Sequence, residues 1–126
     1  MVPADLRYTR EHEWVRLEGG EAVIGVTQYA ADALGDVVFA ELPAPGRVLE
    51  QHATFGVVES VKAVSDLFAP VAGEVLAAND ALAGAPELVN ADPYGEGWML
   101  RVRLADPSQV DGLLDAAAYD ALISEG

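Results

Sequence analysis

The chain reads as mainly β, an antiparallel sandwich or flattened barrel with short helices and a helical C-terminal tail. Short β-branched runs recur through its first hundred or so positions, each bounded by Gly, Pro, Asn or Asp. Residues with helical spacing are confined to short stretches and to the tail that follows Asp106-Pro107. The length of 126 residues suits one domain with its own core, so 1–126 is read as a single unit.

Residues 13–17 alternate, with Trp14 poorly suited to water and Arg16 well suited, and predict a strand. Gly19-Gly20 turns the chain into a second strand over 22–26. Thr27 is a suitable N-cap for a helix over 28–34, and Gly35 a suitable stop. Residues 37–42 form the next strand, ended by Pro43. Pro45-Gly46 supplies a turn, and Val48-Leu49 a short strand. Residues 55–61 and 71–78 are read as the paired strands of a central unit. An alanine-rich loop follows, with one helical turn over 86–89. Residues 98–104 predict a strand with Trp98, Leu100, Val102 and Leu104 on one face and Met99, Arg101 and Arg103 on the other. Asp106 caps a helix with Pro107 in its first position, and Gly112 weakens it. Tyr119, Leu122 and Ile123 mark a final helix. Pro43–Gly46 and Pro70–Gly73 share the pattern P-x-x-G, a faint internal echo.

Residues 56–80 hold the most distinctive chemistry. Lys62 sits at a polar-tipped turn and is the only lysine; the other six basic residues are arginine. An amine is a nucleophile that forms amides, and a guanidinium is not. A lone turn lysine also reads as a solvated charge, and spacing leaves both readings open. The turn lacks Asn-Gly or Gly-Gly, so a type I turn is expected. Val61 is expected to pack across the strands.

Composition excludes several classes. With 21 acids against 7 bases and a net charge of -14, nucleic acid and anionic membrane surfaces are unfavourable partners, and basic protein surfaces are favoured. No apolar run approaches transmembrane length, and no secretory signal is visible at the start, so a cytoplasmic, bacterial setting is expected. There is no cysteine for disulfides or thiolate metal sites, and His12 and His52 are too few for a metal cluster. No Gly-rich phosphate loop or G-x-S-x-G motif argues for an enzyme.

Four blocks in order carry a family resemblance: 8–15 (Tyr-Thr-Arg-Glu-His-Glu-Trp-Val), 35–43 (Gly-Asp-Val-Val-Phe-Ala-Glu-Leu-Pro), 59–75 around Lys62, and 93–99 (Pro-Tyr-Gly-Glu-Gly-Trp-Met). Together they resemble the glycine cleavage system H protein, a lipoyl carrier. The resemblance implies a barrel-sandwich hybrid with lipoate in amide linkage to Lys62 on a tight turn. It implies a non-catalytic shuttle. A pyridoxal-phosphate glycine decarboxylase (P protein) passes it an aminomethyl group, a folate-dependent aminomethyltransferase (T protein) removes that group, and dihydrolipoamide dehydrogenase (L protein) reoxidises the arm. A lipoate ligase or lipoyl synthase equips the lysine. It also implies that Glu13 and Asp66 serve the cleft for the loaded arm. At Glu11 this chain has an acid where a small polar residue is a family alternative, which leaves the outer rim open. Trp14 and Trp98 read as core, and His12 as a structural residue beside Trp14.

The alternatives are an H-like protein serving lipoate relay, a lipoyl domain for 2-oxo acid dehydrogenase chemistry, and a plain binding module. A biotin carrier fits less well, because Val61 and Ala63 replace the flanking methionines typical there.

Overall fold

The computed structural model describes residues 2–125. Nine strands and five short helices follow in the order β1 (Arg7–Tyr8), β2 (Glu13–Glu18), β3 (Glu21–Val26), α1 (Gln28–Leu34), β4 (Val37–Glu41), β5 (Val48–Leu49), β6 (Thr54–Ser60), β7 (Val64–Phe68), β8 (Gly73–Ala78), α2 (Ala81–Gly84), α3 (Leu88–Ala91), β9 (Leu100–Leu104), α4 (Ser108–Asp111) and α5 (Ala116–Glu125). A six-stranded sheet, β1-β2-β3-β9-β8-β5, faces a three-stranded sheet, β4-β6-β7. Every pairing is antiparallel. This is the barrel-sandwich hybrid with a helical tail that the resemblance implied.

The continuous apolar run in β3 is explained by burial on both sides. Ala22, Ile24 and Val26 join Val15, Val58, Leu67, Val75, Leu100 and Val102 in the core between the sheets. Val23 points the other way, into a second cluster with Leu6, Tyr8, Trp14 and Tyr119. Strand alternation assigns the two sets, and the tail helix α5 covers the outer one. Tyr119 stacks on Tyr8 with ring centroids 4.7 Å apart.

Trp14 lies across the backbone of its cross-strand partner Gly25. A Cβ on residue 25 would sit 2.7 Å from the indole. The ring nitrogen donates to the Pro93 carbonyl at 3.0 Å, and the Arg16 guanidinium lies 5.2 Å from the ring centre. The only strand partner that fits under the ring is one without a side chain.

Several expectations change. The strand that completes the hairpin after Lys62 is β7, not 71–78; β8 pairs with β9 and β5 in the other sheet. Residues 64–68 contain Ser65 and Asp66 and bury only Leu67, so they lack a run of strand formers. Strand β9 starts at Leu100, and Met99 is buried rather than outward, because its N–H donates to Ile24 and its carbonyl accepts from Asn79. Trp98 is half-buried against the second cluster. Gly112 ends α4 instead of weakening its interior. Thr27 caps α1 as read, accepting from the Ala30 N–H at 3.2 Å; α4 starts one residue later than read, at Ser108 with Pro107 in the cap position, while Asp106 accepts from the Ser108 N–H at 3.1 Å. Gly46 has φ 96, whereas Gly73 packs against the Arg103 carbonyl, so the two P-x-x-G glycines serve different needs.

Gly25→Ala is expected to lower stability by about 1–3 kcal/mol, since the buried indole has no free direction in which to move. Urea unfolding checks it: the midpoint should fall with an unchanged slope.

Candidate functional site

Lys62 stands exposed at the end of the β6–β7 hairpin. Ser60 builds the turn. Its N–H donates to the Ala63 carbonyl at 2.8 Å, and its hydroxyl oxygen accepts from the N–H of Lys62 at 3.3 Å and of Ala63 at 3.1 Å. Neither Val61 nor Lys62 has positive φ. That excludes the primed and type II turns and agrees with the expected type I geometry.

A second strut comes from outside the hairpin. The Val61 N–H donates to the Asp36 carbonyl at 3.0 Å. The segment carrying Asp36 is itself clamped by Asn90, which accepts from Val37 at 2.9 Å and donates to the carbonyls of Gly35 at 2.7 Å and Ala31 at 3.3 Å. Gly35 adopts φ 79 at the end of α1 and lies under the lysine stem. A Cβ there would be 3.3 Å from Lys62 Cε. Among the described residues the four ion pairs all use arginine, and none engages Lys62.

Beside the tip runs a cleft of about 180 Å³. Val26, Ala30, Leu34, Val58 and Leu67 give it apolar walls; Glu11, His12, Glu13 and Ser65 supply its polar groups, and Asp66 lies on its rim. Glu13 is the buried acid among them. Its Oε1 accepts from the Thr9 hydroxyl at 2.5 Å, and its Oε2 accepts from the Phe68 N–H at 3.2 Å. Burial raises its pKa from the ordinary 4.5 to about 7, against the lowering effect of those two hydrogen bonds. The carboxyl therefore changes charge near neutrality.

His12, with φ 72, closes one end of the cleft. Its Nδ1 lies 2.8 Å from the Tyr119 hydroxyl, which is also 2.8 Å from the Thr27 hydroxyl. The tail helix, the cap of α1 and the cleft are thus joined at one phenol. Burial lowers the His12 pKa, an effect partly opposed by Glu11. The hydrogen bond suits the structural role expected of the ring, although its partner is Tyr119 and not Trp14.

The sequence-predicted site residues divide between the hairpin tip and the cleft. Lys62 is at the tip, while Glu13 and Asp66 line the same cleft. Their environments differ: Glu13 is buried, whereas Asp66 is exposed on the rim. Alternation in β7 puts the Asp66 side chain on the face of Val64, opposite Ser65 and Leu67. Val61, expected to pack across the strands, is 70% exposed. Sequence reasoning passed over Ser60, Asn90 and Thr9. A Ser two residues before the lysine is a detectable turn signal. Asn90, from a distant helix, gives no local sign.

A family model described as Glycine cleavage H-protein matches residues 6–126. A glycine cleavage system H protein from Symbiobacterium thermophilum is 58% identical over 125 residues, covering 99% of this chain and 98% of the relative. One from Magnetococcus marinus is 62% identical over 120 residues, covering 95% and 86%. The crystal structure of a glycine cleavage system H protein from Mycobacterium marinum superposes with a TM-score of 0.90 at 37% identity, covering 98% and 99% of the two chains.

The Glu13 geometry sets a pH dependence. Its folded pKa lies above the unfolded one, so the stability it contributes is complete below pH 4.5 and is lost as pH rises through about 7. The loss is on the order of 3 kcal/mol. Glu13→Gln is expected to remove this component, which denaturant unfolding of both proteins between pH 4.5 and 8 will read as a flatter curve.

Proposed function

The chain belongs to the glycine cleavage H-protein family, and from that premise we propose that it is the lipoyl-bearing shuttle of the glycine cleavage system, with 1–126 acting as one carrier unit. In this reading it takes an aminomethyl group from glycine decarboxylase to the folate-dependent aminomethyltransferase, then electrons to dihydrolipoamide dehydrogenase. The observation that carries it is the sole lysine, held exposed on a doubly braced tip beside an apolar cleft with a carboxyl group in it.

The residues fit a lipoyl group. Lys62 offers an exposed amine, among the described residues without an ion pair, for amide linkage by a lipoate ligase or the route through lipoyl synthase. Lipoate supplies the sulfur pair that accepts the one-carbon cargo and cycles between disulfide and dithiol. The chain has no cysteine to exchange with such a pair.

The protein's own part is positional. Ser60, Asp36 and Asn90 fix the tip, so that a modifying enzyme meets one geometry. Val26, Leu34, Val58 and Leu67 provide walls that suit a hydrocarbon stem and exclude water. Glu13 offers a carboxylate to an ammonium brought into the cleft, and that pairing favours its charged form against burial. Asp66 adds negative potential from the rim.

Lys62→Arg is expected to keep its unfolding midpoint, to gain no lipoyl mass in a lipoylation-competent host, and to abolish exchange of labelled bicarbonate into glycine with glycine decarboxylase. A wild-type protein that is lipoylated but inactive in that exchange would point instead to lipoate relay. Glu13→Ala is expected to speed ammonia loss from the loaded protein at least several-fold more than Asp66→Ala; equal rates would remove Glu13 from the cargo site.

A further inference from the structure

Four large apolar side chains at the tip are exposed: Val38 (51%), Phe39 (47%), Val61 (70%) and Val64 (67%). Their arrangement follows from strand pairing. Phe39 and Val64 flank Glu59 in one cross-strand row of the three-stranded sheet. The pairing of β4 with β6 slips between Val37 and Phe39, so that Val38 is the extra residue of a bulge. Such a bulge lets two successive side chains face outward. Val61 joins them through the turn, tied to Asp36. Exposed acids border the group: Asp36, Glu41 and Asp66.

We infer that Val38, Phe39, Val61 and Val64 form the docking surface for the enzyme that acylates Lys62, and that this enzyme presents an apolar mouth with a basic border. The inference rests on the carrier reading above. It names the partner by reach. In acylation, Nζ attacks the carbonyl carbon of an activated lipoyl adenylate. The amide C–N bond forms, the bond from the acyl carbon to the phosphate oxygen breaks, AMP leaves, and the ammonium sheds two protons in all. The reacting atom is then only a four-carbon stem from the backbone. The acylating site must therefore cover the residues on either side of Lys62. Enzymes that act on the far end of the finished arm work at a distance from them. The acid border selects a basic counterpart. It also disfavours a second copy of this chain, which carries a net charge of -14.

The test uses the full chain, a lipoate ligase, ATP and lipoate, with acylation followed by intact mass. Phe39→Thr and Val64→Thr keep strand propensity while removing apolar surface. Each is expected to lower kcat/KM for acylation, and together by roughly tenfold or more. Val48→Thr changes an equally exposed valine on the other sheet and should acylate at the wild-type rate. Once fully acylated, the double variant should be reduced by dihydrolipoamide dehydrogenase run in reverse, with NADH supplying the two electrons, as fast as wild type. Wild-type acylation rates in the double variant would overturn the docking surface and leave the carrier reading intact. Equal losses in acylation and in reduction would overturn the choice of partner. A wild-type protein that gains no mass would overturn both readings. If Phe39→Thr lowers the unfolding midpoint, Val64→Thr alone decides the case, because it lies at the edge of the hairpin. A concentration-dependent dimer that the double variant abolishes would assign the surface to self-association instead.

Discussion

The hydrogen bond from the Val61 N–H to the Asp36 carbonyl is the constraint on which the site turns. A two-strand hairpin alone is marginal in water. This bond ties its tip to the connection between α1 and β4, and Asn90 ties that connection to α3. Side chains and backbone from three separate stretches thereby converge beneath one lysine. The third strand, β4, adds a ladder along the opposite edge of β6. The lysine is free at its end and fixed at its root.

The cleft is stabilised by equally distant parts. Glu13 comes from β2, its backbone donor Phe68 from β7, and its hydroxyl donor Thr9 from the turn between β1 and β2. Tyr119, near the end of the chain, reaches His12 and the Thr27 cap. The tail therefore covers the outer face of the first sheet and also fixes the loop that closes the cleft. The acid is held between the two sheets, so its environment is a property of the assembled sandwich.

The legible parts of the fold were those with strong local chemistry. Thr27, Gly35, Pro45-Gly46 and Asp106-Pro107 marked boundaries because caps and turns depend on few residues. Strand β7 was missed because Ser65 and Asp66 are poor strand formers, held there by pairing with β6. The burial of Met99 depends on contacts with β3 and Asn79, which lie far away in sequence. Lys62 stood out by its rarity and position, and Glu13 and Asp66 through the family resemblance. That one of these acids is buried and the other exposed follows from the pleat and the covering tail. Val61 misled because an apolar residue next to a strand usually packs inward; here the turn carries it outside.

The buried carboxyl has one further consequence. Near neutral pH Glu13 is shared between its acid and its base form. Any cation that settles beside it selects the base form, so entry of positive cargo is coupled to release of part of a proton, and departure to its recapture. The hold on such cargo then weakens as the surroundings acidify, without any change in the shape of the cleft.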